Sequence, residues 1–290
     1  MIFDYQFRNY NFRALIYMIL LSVLGILVVG SASNQDRSSV IKQIIGVVVS
    51  LIICLVLSLI DYHQYFRFTT LIYVVCAGML AAVLLFGRTT KGATRWLRIG
   101  GIQIQPSEFV KIGLILILAN FLSRNRYKIN EPKTLGMTAL ICALPVGMVY
   151  LQPNLSTTIV ICFMILCMIY VAGISYKWIA GAVAVGVPGF AALIYLSLQG
   201  FIPFLQKYQA QRIMGKIFHS SSEFTDLNRQ QDNSMMAIGS GQLRGKGLFN
   251  NTLSSVKNGN FLSEEQTDFI FAVIGEELGF VGGVAVIALY

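Results

Sequence analysis

Apolar residues in this chain gather in long blocks instead of recurring every third or fourth position. Eight blocks approach or reach the roughly 20 residues a membrane-crossing helix needs. They cover residues 14–33, 40–60, 69–87, 106–122, 135–151, 156–174, 178–197 and 269–290. The polar segments between them are short, except for the 71 residues of 198–268. A helix satisfies its own backbone hydrogen bonds in lipid, so the pattern predicts an all-α polytopic membrane protein with eight transmembrane helices and one long loop. Arg8 and Arg13 precede the first block and Ser31-Ala32-Ser33 ends it, which a secretory leader would share. Its apolar stretch is longer than a leader's and more spans follow, so it reads as a retained signal-anchor.

Composition excludes the other classes. Of 290 residues, 56% are hydrophobic and only 12% charged, with a mean hydropathy of +0.68. Soluble domains average about 25% charged, so there is too little polar surface here to cover a globule in water. Disorder is excluded on the same ground. The net charge of +9 would suggest nucleic acid in a soluble protein. In a membrane it concerns lipid head groups, orientation or an anionic substrate, and no nucleic-acid partner is expected. Cys54, Cys76, Cys142, Cys162 and Cys167 all lie in apolar runs and form no C-x-x-C pair, which argues against a disulfide framework. Two histidines, His63 and His219, are too few for a histidine-built metal centre.

Basic residues in short loops orient a membrane protein. With the N-terminus in the cytoplasm, the inner side holds eight: Arg8, Arg13, Arg67, Arg124, Arg126, Lys128, Lys133 and Lys177. The short outer loops hold five, and four of those, Arg88, Lys91, Arg95 and Arg98, crowd into eleven residues of one loop. That loop runs against the rule. Its cations form either an outer-face anion site or an interfacial loop that meets lipid phosphates, and Trp96 suits both readings.

Three motifs fall on the outer side. Lys91–Ile112 reads K-G-A-T-R-W-L-R-I-G-G-I-Q-I-Q-P-S-E-F-V-K-I. In it Gln105 precedes Pro106, a residue suited to the first helical position. Glu108 then complements the helix dipole, and Lys111 lies three residues on, within ion-pair reach. The pair either shields two charges from lipid or lines a polar cavity. Gln152-Pro153-Asn154 opens a second helix from the same face, and helix N-termini suit phosphate. The third motif, Glu264–Gly283, carries Asp268 at the mouth of the last span and Glu276 and Glu277 about two turns deeper. Asp268 is either a helix N-cap or a general base. Buried carboxylates in a span need a partner or a polar cavity.

In the long segment, residues 201–218 suggest a surface helix lying in the membrane interface. Ser240–Gly247 (S-G-Q-L-R-G-K-G) invites a phosphate-loop reading but lacks Gly at 240 and Ser or Thr at 247. It reads instead as a flexible Gly-rich loop that brings Arg244 and Lys246 to the membrane surface, where both are candidate substrate-binding residues.

K-G-A-T-R-W-L from Lys91, Q-P-S-E-F-V-K from Gln105, G-S-G-Q-L-R-G-K-G from Gly239 and T-D-F-I-F-A-V-I-G-E-E-L-G from Thr267 together resemble the SEDS family of bacterial envelope proteins, the RodA, FtsW and SpoVE group. The first stretch looks slightly more like RodA. The resemblance implies a peptidoglycan glycosyltransferase that polymerises lipid II, a disaccharide-peptide on undecaprenyl diphosphate, at the outer face of the bacterial plasma membrane. It also implies a class B penicillin-binding protein as partner. Asp268 matches the family's essential Asp, Glu108 and Lys111 its charged pair, and Lys91, Arg95 and Trp96 its outer loop. Two departures stand out. Asn154 replaces the Asp most relatives have, which weakens any metal-ligand role there. The family also has ten spans, so a chain ending after the eighth reads as C-terminally truncated.

The residues suit inverting glycosyl transfer: Asp268 takes the acceptor proton, and Lys91, Arg95 and Arg98 stabilise the leaving diphosphate. A divalent cation could assist, but the sequence has no metal motif. Two other classes compete. A lipid II flippase or transporter would move lipid without making polymer, and would favour ionisable groups spread through the membrane depth. A non-catalytic scaffold for the transpeptidase would bind without turnover.

Overall fold

A computed structural model of the chain describes residues 10–33, 36–90, 93–99, 102–152, 154–199, 225–250, 255, 262 and 265–290. Each of the eight apolar blocks coincides with a helix. These are α1 (Phe12–Ala32), α2 (Arg37–Ser58), α4 (Thr69–Phe86), α5 (Pro106–Arg124), α6 (Pro132–Leu151), α7 (Leu155–Val171), α8 (Tyr176–Leu198) and α10 (Ile270–Leu289), with a short α3 (Tyr62–Arg67) and a polar α9 (Thr225–Ser240) between blocks. By length and composition α1, α2, α4, α5, α6 and α10 can each cross a membrane, while α7 is apolar but has 17 residues. The chain is a multi-pass membrane protein. α2 shows what that means for packing: it buries no residue and exposes Ile41, Ile45, Ile52 and Val56. Such a surface is a liability in water and ordinary in lipid.

Two stretches depart from the expected plan. Residues 88–104 form a small antiparallel sheet, β1 (Arg88–Thr90), β2 (Ala93–Ile99) and β3 (Ile102–Ile104), in the order β1-β2-β3. Arg88 stands opposite Trp96, and Ile99 opposite Ile102. β-branched and aromatic residues favour strands, and only Gly100-Gly101 separates β2 from β3 in the sequence, a composition that hairpins favour. The second departure is α9, which lies inside the segment read as a loop. The surface helix expected at 201–218 lies outside the described residues.

The described chain divides into two compact units, residues 1–60 with 210–290, and residues 61–209. In the first, α1 packs on α10 through Val28, Ala32, Val273, Ile274 and Val286. A smaller cluster of Ala237, Leu262 and Ala272, with Phe269 against it, ties α9 to the start of α10. In the second, Leu80, Val110, Leu114, Leu118, Val149 and Ile161 form the core. There Gly113 lets α5 approach α4 closely enough to face the Cys76 Sγ, the small-residue packing common between membrane helices.

Asp36 caps α2, accepting hydrogen bonds from the Ser38 and Ser39 backbone N–H groups and from Ser39 Oγ at 3.3, 3.1 and 2.8 Å. These bonds hold its carboxyl below the ordinary value, the Ser39 hydroxyl contributing most. A depressed carboxyl stabilises above its unfolded pKa, and that support is lost as pH falls through the folded value. Hydrogen exchange at the Ser38 and Ser39 amides, corrected for intrinsic rates, is expected to lose protection below about pH 4. Asp36→Ala is expected to remove this pH dependence.

Candidate functional site

In residues 61–209, Pro106 takes the first position of α5 and Glu108 lies in its first turn. The Gln105 side chain does not cap the helix; its Nε2 donates to Ser107 Oγ at 3.1 Å. Lys111 Nζ meets Glu108 Oε2 at 2.7 Å, with side chains 28% and 54% exposed. On a water-facing surface an exposed i,i+3 pair contributes only about 0.2–0.5 kcal/mol, whereas a lone Glu108 facing lipid would be costly. Lys111→Met is therefore expected to leave thermal stability almost unchanged where Glu108 faces water, and to lower it where Glu108 faces lipid. A loss of activity beyond that scale in the same preparation would give the pair a role in chemistry.

At the start of α7, Asn154 is the N-cap, its Oδ1 accepting from Thr157 N at 3.4 Å. Gln152 donates from Nε2 to the Leu80 carbonyl of α4 at 3.3 Å. Both amides are almost fully buried, at 1% and 3% exposure. Gln152 Oε1 and Asn154 Nδ2 make no hydrogen bond among the described residues, which is unusual for buried polar atoms. Arg95 and Trp96 are half-buried neighbours on β2, so their side chains leave opposite faces of the strand. Lys91, Pro153 and the Arg98 side chain lie outside the described residues.

In the other unit the structure brings together residues that are remote in sequence. Glu276 and Glu277 are 2% and 1% exposed. Glu276 Oε1 pairs with Lys246 Nζ at 2.7 Å, and Glu276 Oε2 accepts from Ser255 Oγ at 3.4 Å. Glu277 Oε1 accepts from Ser31 Oγ of α1 at 2.6 Å, and that hydroxyl accepts from Phe249 N at 3.1 Å. Each buried carboxylate thus has a polar partner, as its cost in an apolar helix demands.

Backbone geometry explains the proximity. α10 is broken at Gly279, where φ is +67° and ψ −166°, a region open essentially to glycine alone. An unbroken helix would bond Phe280 N to Glu276 O and Val281 N to Glu277 O. Here Phe280 N and Val281 N donate to the Gln242 and Leu243 carbonyls at 2.8 and 3.2 Å. The Glu276 and Glu277 carbonyls accept from Lys246 N and Gly247 N, both at 2.9 Å. Residues 242–247 therefore replace two lost helical bonds from both sides. This corrects the reading of a flexible loop that carries cations to the surface: the segment is docked and Lys246 points inward, while Arg244 is exposed. Sequence alone assigns Ser31, Ser255, Gly245 and Gly279 no role in a site; a Glu pair between Gly275 and Gly279 in an apolar run was the available signal.

Asp268 is exposed in the turn that leads into α10. The N-cap of α10 is Phe269, with no side-chain cap hydrogen bond, so the capping reading of Asp268 does not hold. Among the described residues, no group of three or more His, Cys, Asp or Glu side chains is placed to hold a metal ion.

Residues 12–290 match the FtsW/RodA/SpoVE family model, described as cell cycle protein. The peptidoglycan glycosyltransferase MrdB of Escherichia coli (strain K12) is 35% identical over 278 residues, covering 95% of this chain and 71% of the relative. The peptidoglycan glycosyltransferase RodA of Treponema pallidum is 29% identical, covering 97% of this chain and 80% of the relative. Among solved structures, a chain from a peptidoglycan synthase complex that coordinates polymerization and crosslinking superposes with a TM-score of 0.75 at 25% identity, covering 97% of this chain and 75% of that one. The rod shape determining protein RodA of Thermus thermophilus shares the fold, with a TM-score of 0.65 at 24% identity over 98% of this chain and 72% of that one. The chain belongs to the FtsW/RodA/SpoVE family.

Proposed function

We propose that this protein is a peptidoglycan glycosyltransferase that polymerises lipid II into glycan strands. Support comes from relatives that carry that activity in their names and from the site chemistry. One observation carries the assignment of the base: Asp268 is an exposed carboxylate with no capping duty at the entrance of α10, whereas Glu276 and Glu277 deeper in the same helix are engaged by Lys246, Ser255 and Ser31.

In this reading the acceptor sugar hydroxyl attacks the anomeric carbon of the donor. The new C–O bond forms as the bond to the diphosphate breaks, and the α-linked donor becomes a β-linked product by inversion. Asp268 accepts the hydroxyl proton. The lipid diphosphate leaves with the electron pair, stabilised by Lys91, Arg95 and Arg98 and by the N-termini of α5 and α7. Trp96, Gln105, Glu108, Lys111, Gln152, Asn154 and Arg244 are the remaining candidate contacts to substrate; Pro106 opens α5, and Pro153 precedes Asn154 in the sequence. The membrane is the bacterial plasma membrane, crossed eight times, with the N-terminus in the cytoplasm and the active face outside, as the basic-residue count supports. The partner is a class B penicillin-binding protein, a transpeptidase, consistent with the match to a synthase complex.

The test is polymerisation of labelled lipid II by the purified chain in detergent, with the transpeptidase added and withheld, read as glycan length on a gel, and the same chain reconstituted in vesicles, read for transbilayer movement of the lipid. Polymer in the presence of enzyme supports the reading. Transbilayer movement of lipid II without polymer would assign a transporter, and transpeptidase binding without polymer a scaffold.

A further inference from the structure

The half-helix Ile270–Leu278 is held at both ends by one continuous stretch of chain, α9 and the 241–247 strap that follows it. At its start, Ala272 and Phe269 pack on Ala237 of α9 and on Leu262, and Ala272 N bonds to Phe269 O at 2.9 Å. At its end, the strap takes over the Glu276 and Glu277 carbonyls, and Lys246 pairs with Glu276 at 2.7 Å. The break at Gly279 removes the second half of α10 as a support for the first. Asp268 stands two residues ahead of this half-helix, in the turn that leads into it.

We propose that Lys246 and Glu276 are positioning residues: their ion pair locks the strap on α10 and so sets the turn that carries Asp268. This rests on the polymerase reading for its effect on turnover, and on geometry alone for its effect on the turn. It also gives Lys246 a different duty from substrate binding. A cation that touches the diphosphate cannot be replaced by an apolar residue. A cation that serves only as partner to a buried carboxylate can be, provided the carboxylate is neutralised with it. Breaking a buried pair strands one charge, whereas removing both can be nearly neutral.

The experiment compares the wild-type chain with Glu276→Gln, Lys246→Met and the double variant, by steady-state lipid II polymerisation and by amide hydrogen exchange. Glu276→Gln, which strands no buried charge, is expected to lower kcat less than Lys246→Met does. Lys246→Met, which strands the buried Glu276 carboxylate, is expected to lower kcat by about 10–100-fold, the scale of a misplaced catalytic group, with KM within about twofold. Exchange at Lys246 and Gly247 is expected to rise on the order of 100-fold, and exchange at Ala272 to rise with it. The double variant is expected to recover most of both readouts. The proposal is overturned if Ala272 exchange stays at the wild-type value while the strap opens, if the double variant is no better than the worse single one, or if KM rises and kcat does not fall. Should a single variant not fold, the double variant decides: protected and active supports the pair's positioning role, folded but unprotected overturns it. A wild-type chain that makes no polymer defeats the polymerase reading, yet the exchange at Ala272 still reports whether the pair sets the turn.

Discussion

Asp268→Asn is expected to reduce lipid II polymerisation by about 10²–10⁴-fold, the range that a positioned general base supplies. The amide keeps the size and one hydrogen-bonding oxygen of the carboxylate but cannot take the acceptor's proton at neutral pH. Structure gives little reason for any other effect. Asp268 is exposed in a turn, the N-cap of α10 is its neighbour Phe269, and surface substitutions away from such features fall within about ±0.5 kcal/mol. The variant should therefore elute, melt and bind lipid II as the wild-type chain does, and fail in turnover. Asp268→Glu, which keeps the base but moves it by one methylene, is expected to retain a fraction of the activity. Full turnover by folded Asp268→Asn would remove the base assignment outright.

The parts of the molecule that were legible in sequence are those where one local rule decides. Each apolar block folded into a helix, with boundaries within three residues of the expected ones, because lipid forces the backbone to pair with itself. Pro106 opens α5 because its missing N–H has no helical partner at that position. What could not be read depended on distant segments. Glu276 and Glu277 were recognisable as costly, but their partners Lys246, Ser255 and Ser31 lie 30, 21 and 246 residues away. The Gly-rich stretch Gly239–Gly247 has the composition of a flexible loop, and only a broken helix, whose four displaced backbone groups bond to residues 242–247, makes it a docked strap. α9 escaped notice for a related reason. Its sequence, T-D-L-N-R-Q-Q-D-N-S-M-M-A-I-G-S, is too polar for a span, and its apolar positions matter only where Ala237 meets Ala272 and Ile238 meets Gly275.

Gly279→Ala is expected to be among the most damaging small substitutions in the chain, although alanine is the better helix former. A non-glycine residue at φ +67° and ψ −166° costs about 1–3 kcal/mol. The added Cβ would also collide with the Gly245 backbone nitrogen and crowd the Arg244 and Leu243 main chain. The strap cannot yield cheaply, because Gly245 itself sits at φ +77° with its own α-carbon facing the Glu277 carbonyl. Two responses are open to the chain. It can keep the break and accept the strain, or it can close α10 into a continuous helix, re-forming the bonds from Phe280 N to Glu276 O and from Val281 N to Glu277 O. Closure is favoured by about 1 kcal/mol of intrinsic helix propensity. It would expel residues 242–247 and strand the buried Glu276 carboxylate without Lys246, which is far more expensive. Either response lowers the melting temperature and exposes the Lys246 and Gly247 amides to exchange, and only the second protects Phe280 and Val281 more than in the wild type. The proper control is Gly136→Ala in α6, where an added Cβ meets nothing within 4 Å and the same propensity gain should leave stability unchanged or slightly higher. If Gly279→Ala melted and exchanged like that control, the strap would not be supporting α10.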